Sequence, residues 1–158
     1  MHTNAQERWM NLAIEAARRG IAAGQSPFGA VIVRGDELIA ASHNVVWRTT
    51  DPTAHAEVTC IREAAKRLST ISLAGCRMYT TCEPCPMCAS AIHWSGLDSV
   101  SWGATIADAQ NAGFRELRMP CERLLQEGGS RVQTFAGMLN AQCAALFREW
   151  IAAGGRSY

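Results

Sequence analysis

The chain has 158 residues, of which 48% are hydrophobic and 18% charged, with a formal net charge of +1. That length suits one domain with its own core, and the composition excludes both a disordered tail and a coiled coil. No apolar run approaches the ~20 residues of a membrane span, the first residues lack a basic-then-apolar secretion signal, and the charge balance makes no electrostatic case for a polyanion.

Residues 4–19 are predicted as a helix whose apolar stripe is Trp9, Leu12, Ala13, Ala16 and Ala17. Gly20 and Gly24 end it. Strand-like runs at 28–33 and 38–41 flank Arg34-Gly35-Asp36-Glu37, which reads as a hairpin turn. Residues 44–52 read as a loop, polar apart from Val45, Val46 and Trp47. A second helix is expected over 54–68, with Val58, Ile61, Ala65 and Leu68 on one face and Asp51 or Thr53 as its cap. Residues 77–81 make a strand, and Pro84 and Pro86 mark the start of a third helix that ends near Ser95-Gly96. A strand at 99–103, a short helical stretch near 108–112, a strand at 131–135 and a helix at 138–153 follow. That last helix is expected to turn Leu139, Cys143, Leu146, Phe147, Trp150 and Ile151 to the core. Residues 115–129 carry no readable pattern. Helices alternating with short strands imply an α/β layered sandwich around one sheet.

Seven cysteines, an odd number without a secretion signal, point to a reducing compartment rather than to a disulfide framework. Cys82, Cys85 and Cys88 fall close together. Cys85 and Cys88 sit three apart at a predicted helix start, so both sulfurs share one face of the first turn. The partial positive charge there favours thiolates. His55, near the start of another predicted helix, offers an imidazole. Two thiolates and an imidazole suit zinc, and three protein ligands leave a fourth position for water. Glu57, two residues beyond His55, can approach that position without ligating. A carboxylate beside a metal-activated water can carry its proton, which suits hydrolysis at an amino-bearing sp² carbon with loss of ammonia.

The alternatives stay open on the residues alone. An iron–sulfur cluster or a redox Cys-x-x-Cys pair would also use the cysteines, while His55 would then be structural and Glu57 a helix-start charge. A zinc module without catalysis would need a fourth protein ligand, for which Cys82 and Cys60 are the near candidates. Only the zinc deaminase signature, His-x-Glu followed by Pro-Cys-x-x-Cys, employs His55, Glu57, Cys85 and Cys88 together.

DPTAHAEV at 51–58, TTCEPCPMC at 80–88 and Ala91-Ile92-x-Trp94 resemble the cytidine-deaminase-like superfamily and, within it, bacterial guanine deaminases. SPFGAVIV at 26–33, Asn44 and the run from Asp108 to Phe114 extend the resemblance over most of the chain. It implies a three-layer α/β/α sandwich with a five-stranded mixed sheet, one domain over 1–158, one Zn2+ per subunit and a cytoplasmic homodimer. In some guanine deaminases the C-terminal tail, here 137–158, is exchanged between subunits. By position, His55, Cys85 and Cys88 would hold zinc, Glu57 would shuttle protons, and Asp108 would assist near the departing amine. Asn44 would bond the base, Phe28 and Trp94 would wall the pocket, the Ala56 N–H would face the substrate, and Tyr158 would close the site. Residues 115–130 depart from the family pattern.

The substrate this resemblance implies is a free nucleobase, guanine giving xanthine and ammonia. The main alternative is a tRNA adenosine deaminase, which shares fold and motif; cytosine, pterins and aminotriazines are further alternatives. Charge speaks against nucleic acid, because 141–158 carries Arg148 and Arg156 against Glu149 and no basic patch.

Overall fold

Strand β1 (Gly29–Arg34) sends Val31 and Val33 to one side of the sheet and Ala30 and Ile32 to the other, the period of two that a pleated strand imposes. Both sides are covered, so β1 buries every residue except Arg34. In the computed structural model, which describes residues 4–158, β1 pairs antiparallel with β2 (Glu37–His43) and with β3 (Cys76–Cys82). β3 pairs parallel with β4 (Ser99–Ala104), and β4 pairs parallel with β5 (Gln133–Phe135). The strand order is β2-β1-β3-β4-β5, a five-stranded mixed sheet. β2 is an edge strand with an uneven burial pattern, whereas central β4 is buried throughout, as a parallel strand covered on both faces must be.

Helices α1 (Asn4–Ala22) and α7 (Asn140–Ala152) cover one face of the sheet. The other carries α3 (Ala56–Leu68), α4 (Pro86–Ser95) and α6 (Cys121–Glu127). The result is the expected α/β/α sandwich. α1 can lie close on β1 because Gly29 has no Cβ, which would collide with the Ala13 carbonyl and the Ala17 backbone. α7 packs on α1 and on β4 of its own chain, with a bidentate Arg18–Glu149 ion pair at 3.0 Å across the two helices. No described helix is long and apolar enough to cross a membrane.

Four expectations need correcting. Within 44–52 lies the one-turn helix α2 (Val46–Thr49), formed because Val45 and Val46 are buried. α3 begins at Ala56 with His55 as its N-cap and no side-chain cap bond. Asp51 instead bonds the backbone and hydroxyl of Thr53 in a local turn. The deepest face of α3 is Ala56, Glu57, Cys60 and Ala64, with Val58, Ile61, Ala65 and Leu68 only half-buried at its flanks. Small side chains meet the sheet there, and the larger ones fill the margins. Ile151 faces outward at 57% exposed, because the core face of α7 is already completed by Cys143, Leu146, Phe147 and Trp150. The unreadable stretch contains α6, whose first N–H, on Cys121, is held by the Glu83 carboxylate at 2.9 Å.

Candidate active site

Two helix starts face each other at the end of β3. Cys85 is the N-cap of α4, Pro86 opens the helix, and Cys88 lies in its first turn. His55 caps α3 in the same extended backbone conformation. Neither cap residue spends its side chain on its own helix, so sulfur and imidazole are free to converge. The His55 Nδ1 lies 3.7 Å from the Cys85 Sγ and 3.5 Å from the Cys88 Sγ. Tetrahedral zinc, with Zn–S near 2.3 Å and Zn–N near 2.05 Å, requires an N···S edge of ~3.6 Å. The donor set therefore fits zinc in both chemistry and spacing. No fourth His, Cys, Asp or Glu joins the cluster among the described residues. Zinc held by three ligands keeps a coordination position for water and lowers that water's pKa towards ~7.

The titratable groups at this point perturb one another strongly. Hydrogen bonding from Cys88 holds the Cys85 thiol down at about 4 against the effect of burial, with help from His55. Cys88 is pushed well up, first by that same bond with Cys85 and then by burial. Burial alone would lower His55, but Cys85 and Glu57 outweigh it and raise it. Glu57 is 5% exposed, and burial raises its carboxyl. Its oxygens accept from the Thr80 hydroxyl at 3.3 Å and, in the metal-free protein, from the Cys88 thiol at 3.5 Å. A carboxyl so buried is easy to protonate.

Phe28, His55, Glu57, Cys82, Glu83, Cys85 and Glu116 line a small, partly enclosed pocket. Phe28 forms its wall, edge-on to Phe114 at 4.9 Å. Ala56, the first residue of α3, carries one of the N–H groups left without a partner inside the helix. Asn44 is fully buried; its Oδ1 accepts from the Val46 N–H, and its Nδ2 donates to the Tyr158 hydroxyl at 2.7 Å. The Tyr158 ring stands 5.9 Å from the His55 ring and 5.5 Å from Phe114.

Cys88, Asn44, Ala56 and Tyr158 stand beside this lining rather than in it, and two further sequence-predicted residues, Trp94 and Asp108, are engaged elsewhere. Trp94 is 84% exposed, packed edge-on against His93. It follows buried Ile92 by two residues, about 200° around the helix, and so must point away from the sheet. Asp108 serves the N-cap of α5 (Ile106–Asn111): its carboxylate accepts from the Thr105 N–H and hydroxyl, and the Thr105 hydroxyl accepts from the Asp108 N–H. Thr105-x-x-Asp108 is a capping box.

The carboxylate that does enter the cavity beside Glu57 is Glu116, which sequence reasoning missed. Burial, then the Cys85 thiolate, raises it to about 7. The available signal was Phe114, a buried aromatic ahead of a polar run, which anchors the segment on Phe28. Gln110 also donates to the Glu116 carbonyl at 3.3 Å.

Three such ligands with a protonatable carboxyl at their side are the equipment of a zinc-dependent hydrolytic deaminase. Residues 3–104 match the family model for the cytidine and deoxycytidylate deaminase zinc-binding region, and the chain belongs to that family. It is 44% identical over 127 residues to guanine deaminase of Bacillus subtilis, covering 77% of this chain and 80% of that protein. It is 36% identical over 147 residues to the tRNA-specific adenosine deaminase of the same organism, covering 90% and 89%. A solved structure of a variant of the protein NE0047 in complex with 8-azaguanine superposes with a TM-score of 0.84 at 33% identity, covering 92% of this chain and 84% of that one.

Proposed function

We propose that the protein deaminates a free nucleobase, guanine, to xanthine and ammonia in the cytoplasm. The observation that carries this reading is the bond from Asn44 to Tyr158, which holds the Tyr158 ring 5.9 Å from that of the metal-ligating His55. A side chain held there leaves more room for a free base than for a nucleotide embedded in an RNA loop. The guanine-like ligand of the NE0047 structure and the 44% identity to a guanine deaminase support the same substrate. All seven cysteines are free, in keeping with a reducing compartment.

In this reading water adds to the amino-bearing carbon, C2, while Glu57 delivers a proton to the neighbouring ring nitrogen and then returns one to the departing amine. Glu116, on the cavity wall, takes the part of second proton carrier that the sequence had suggested for Asp108. Asn44 keeps one Nδ2 hydrogen that Tyr158 does not use and offers it to an acceptor on the base. Phe28 packs on the ring. A homodimer belongs to this reading too, since the exposed Trp94 is a natural contact for a second copy.

The test is ammonia release by zinc-loaded protein given guanine, adenine, cytosine or unmodified tRNA. Guanine should yield equal amounts of xanthine and ammonia. Inosine formation in tRNA with no reaction of guanine would replace this reading by the tRNA one.

A further inference from the structure

Beyond α7 the chain reverses. Gly154 adopts a positive φ of 76°, and Gly155 lies so close to the Trp150 indole that a Cβ would collide with it. The segment then returns to the metal site, its Tyr158 ring 5.9 Å from that of His55, with few backbone hydrogen bonds to fix it. The Gly154 and Gly155 N–H groups close the end of the helix, and one long bond of 3.4 Å joins the Arg115 N–H to the Tyr158 carbonyl. Side chains must therefore hold the tail in place. One holds directly, through the Asn44 bond to the Tyr158 hydroxyl. The other contact lies outside the cavity: the Arg156 guanidinium sits 3.7 Å above the centre of the Trp47 ring. Trp47 in turn presents its edge to Tyr158, with ring centres 6.1 Å apart.

Trp47 is anchored through its own helix. It lies in α2, whose neighbours Val45 and Val46 are buried together with Ala54 in a small cluster against Tyr158. The cation–π contact thus ties the C-terminal segment to α2, two residues away from the side chain that stands beside His55. We propose that Arg156 and Trp47 form a latch that keeps Tyr158 over the bound base, which makes them positioning residues for the base deamination inferred above. Neither lines the metal cavity. Their effect is on the population of closed tail, and apparent affinity falls in proportion to that population.

A cation–π pair of this kind is worth about a 2- to 30-fold change in a two-state equilibrium. Arg156→Ala and Trp47→Leu should speed exchange of the Arg115 amide by a factor in that range, measured residue by residue by NMR. KM for guanine should rise by less than the exchange rate does, because affinity follows the closed fraction and exchange the open one, while kcat of Arg156→Ala stays within about twofold. Arg156→Lys, which keeps a cation, should fall between Arg156→Ala and the parent protein. The latch is refuted by parental exchange in Arg156→Ala. If the parent protein does not act on guanine, the substrate assignment fails, and the exchange measurement alone then decides the latch: faster exchange supports it and unchanged exchange refutes it.

Discussion

The Asn44 amide and the Tyr158 hydroxyl, 114 positions apart in the chain, share a 2.7 Å hydrogen bond that holds the Tyr158 ring 5.9 Å from that of His55. Asn44 is the rigid partner, since it is fully buried and its Oδ1 is committed to the Val46 N–H. Tyr158 is the adjustable one, at the end of a segment that begins with two glycines. Tyr158→Phe removes the bond and keeps the ring. A neutral hydrogen bond contributes about 0.5–1.5 kcal/mol, so KM for the base should rise roughly 2- to 12-fold, with zinc content unchanged. Steady-state kinetics beside metal analysis would show this; an unchanged KM would remove Tyr158 from base binding.

Glu57→Gln preserves the volume of the buried side chain but cannot carry a proton. General acid–base catalysis is worth about 10²–10⁴-fold, and the loss of activity should be at least the lower figure. The zinc stoichiometry should stay at one, because the metal rests on His55, Cys85 and Cys88. Wild-type activity in this variant would refute the shuttle role.

Glu116 gives a dependence on pH. Burial holds its carboxyl up at about 7 in the zinc-free protein, whereas in the unfolded chain it titrates near ~4.3. Between those values the folded state keeps a proton that the unfolded state has released. Stability therefore falls as pH rises through that window. Melting of chelated protein from pH 4.5 to 7.5 should show a steeper decline than melting of Glu116→Gln, whose amide does not titrate. Parallel curves would mean that Glu116 is not held in the cavity. With zinc bound, Glu116→Gln should also slow deamination.

Gly29→Ala tests the packing that sets the site's base. The new methyl has only backbone to meet, at Ala13 and Ala17 of α1, and backbone cannot rotate aside as a side chain can. The cost should lie at the upper end of overpacking, about 3 kcal/mol. Denaturant titration would measure it, and a cost under about 1 kcal/mol would mean that α1 lies farther from β1 than described.

The metal centre was legible because its information is local. Cys88 follows Cys85 by three positions and Glu57 follows His55 by two, and a helix start converts such spacings into shared directions. The sandwich was legible for the same reason, since period-two and helical patterns act over a few residues. Errors arose where one residue had competing uses. Asp108 satisfied a capping box three residues away, and Trp94, beside an apolar Ile92, took the opposite face of its helix.

By itself the sequence determined the ligand chemistry, the placing of Glu57 beside the ligands and the class of fold, because each depends on spacings that the backbone turns into geometry without help from distant parts. Tertiary structure decided the rest of the cavity. It brought Glu116 in from a run without pattern by burying Phe114 against Phe28. It also led the tail back from α7 so that Tyr158 meets Asn44. Those contacts join segments far apart in the chain, and their geometry depends on how helices stack across the sheet, which no local spacing encodes.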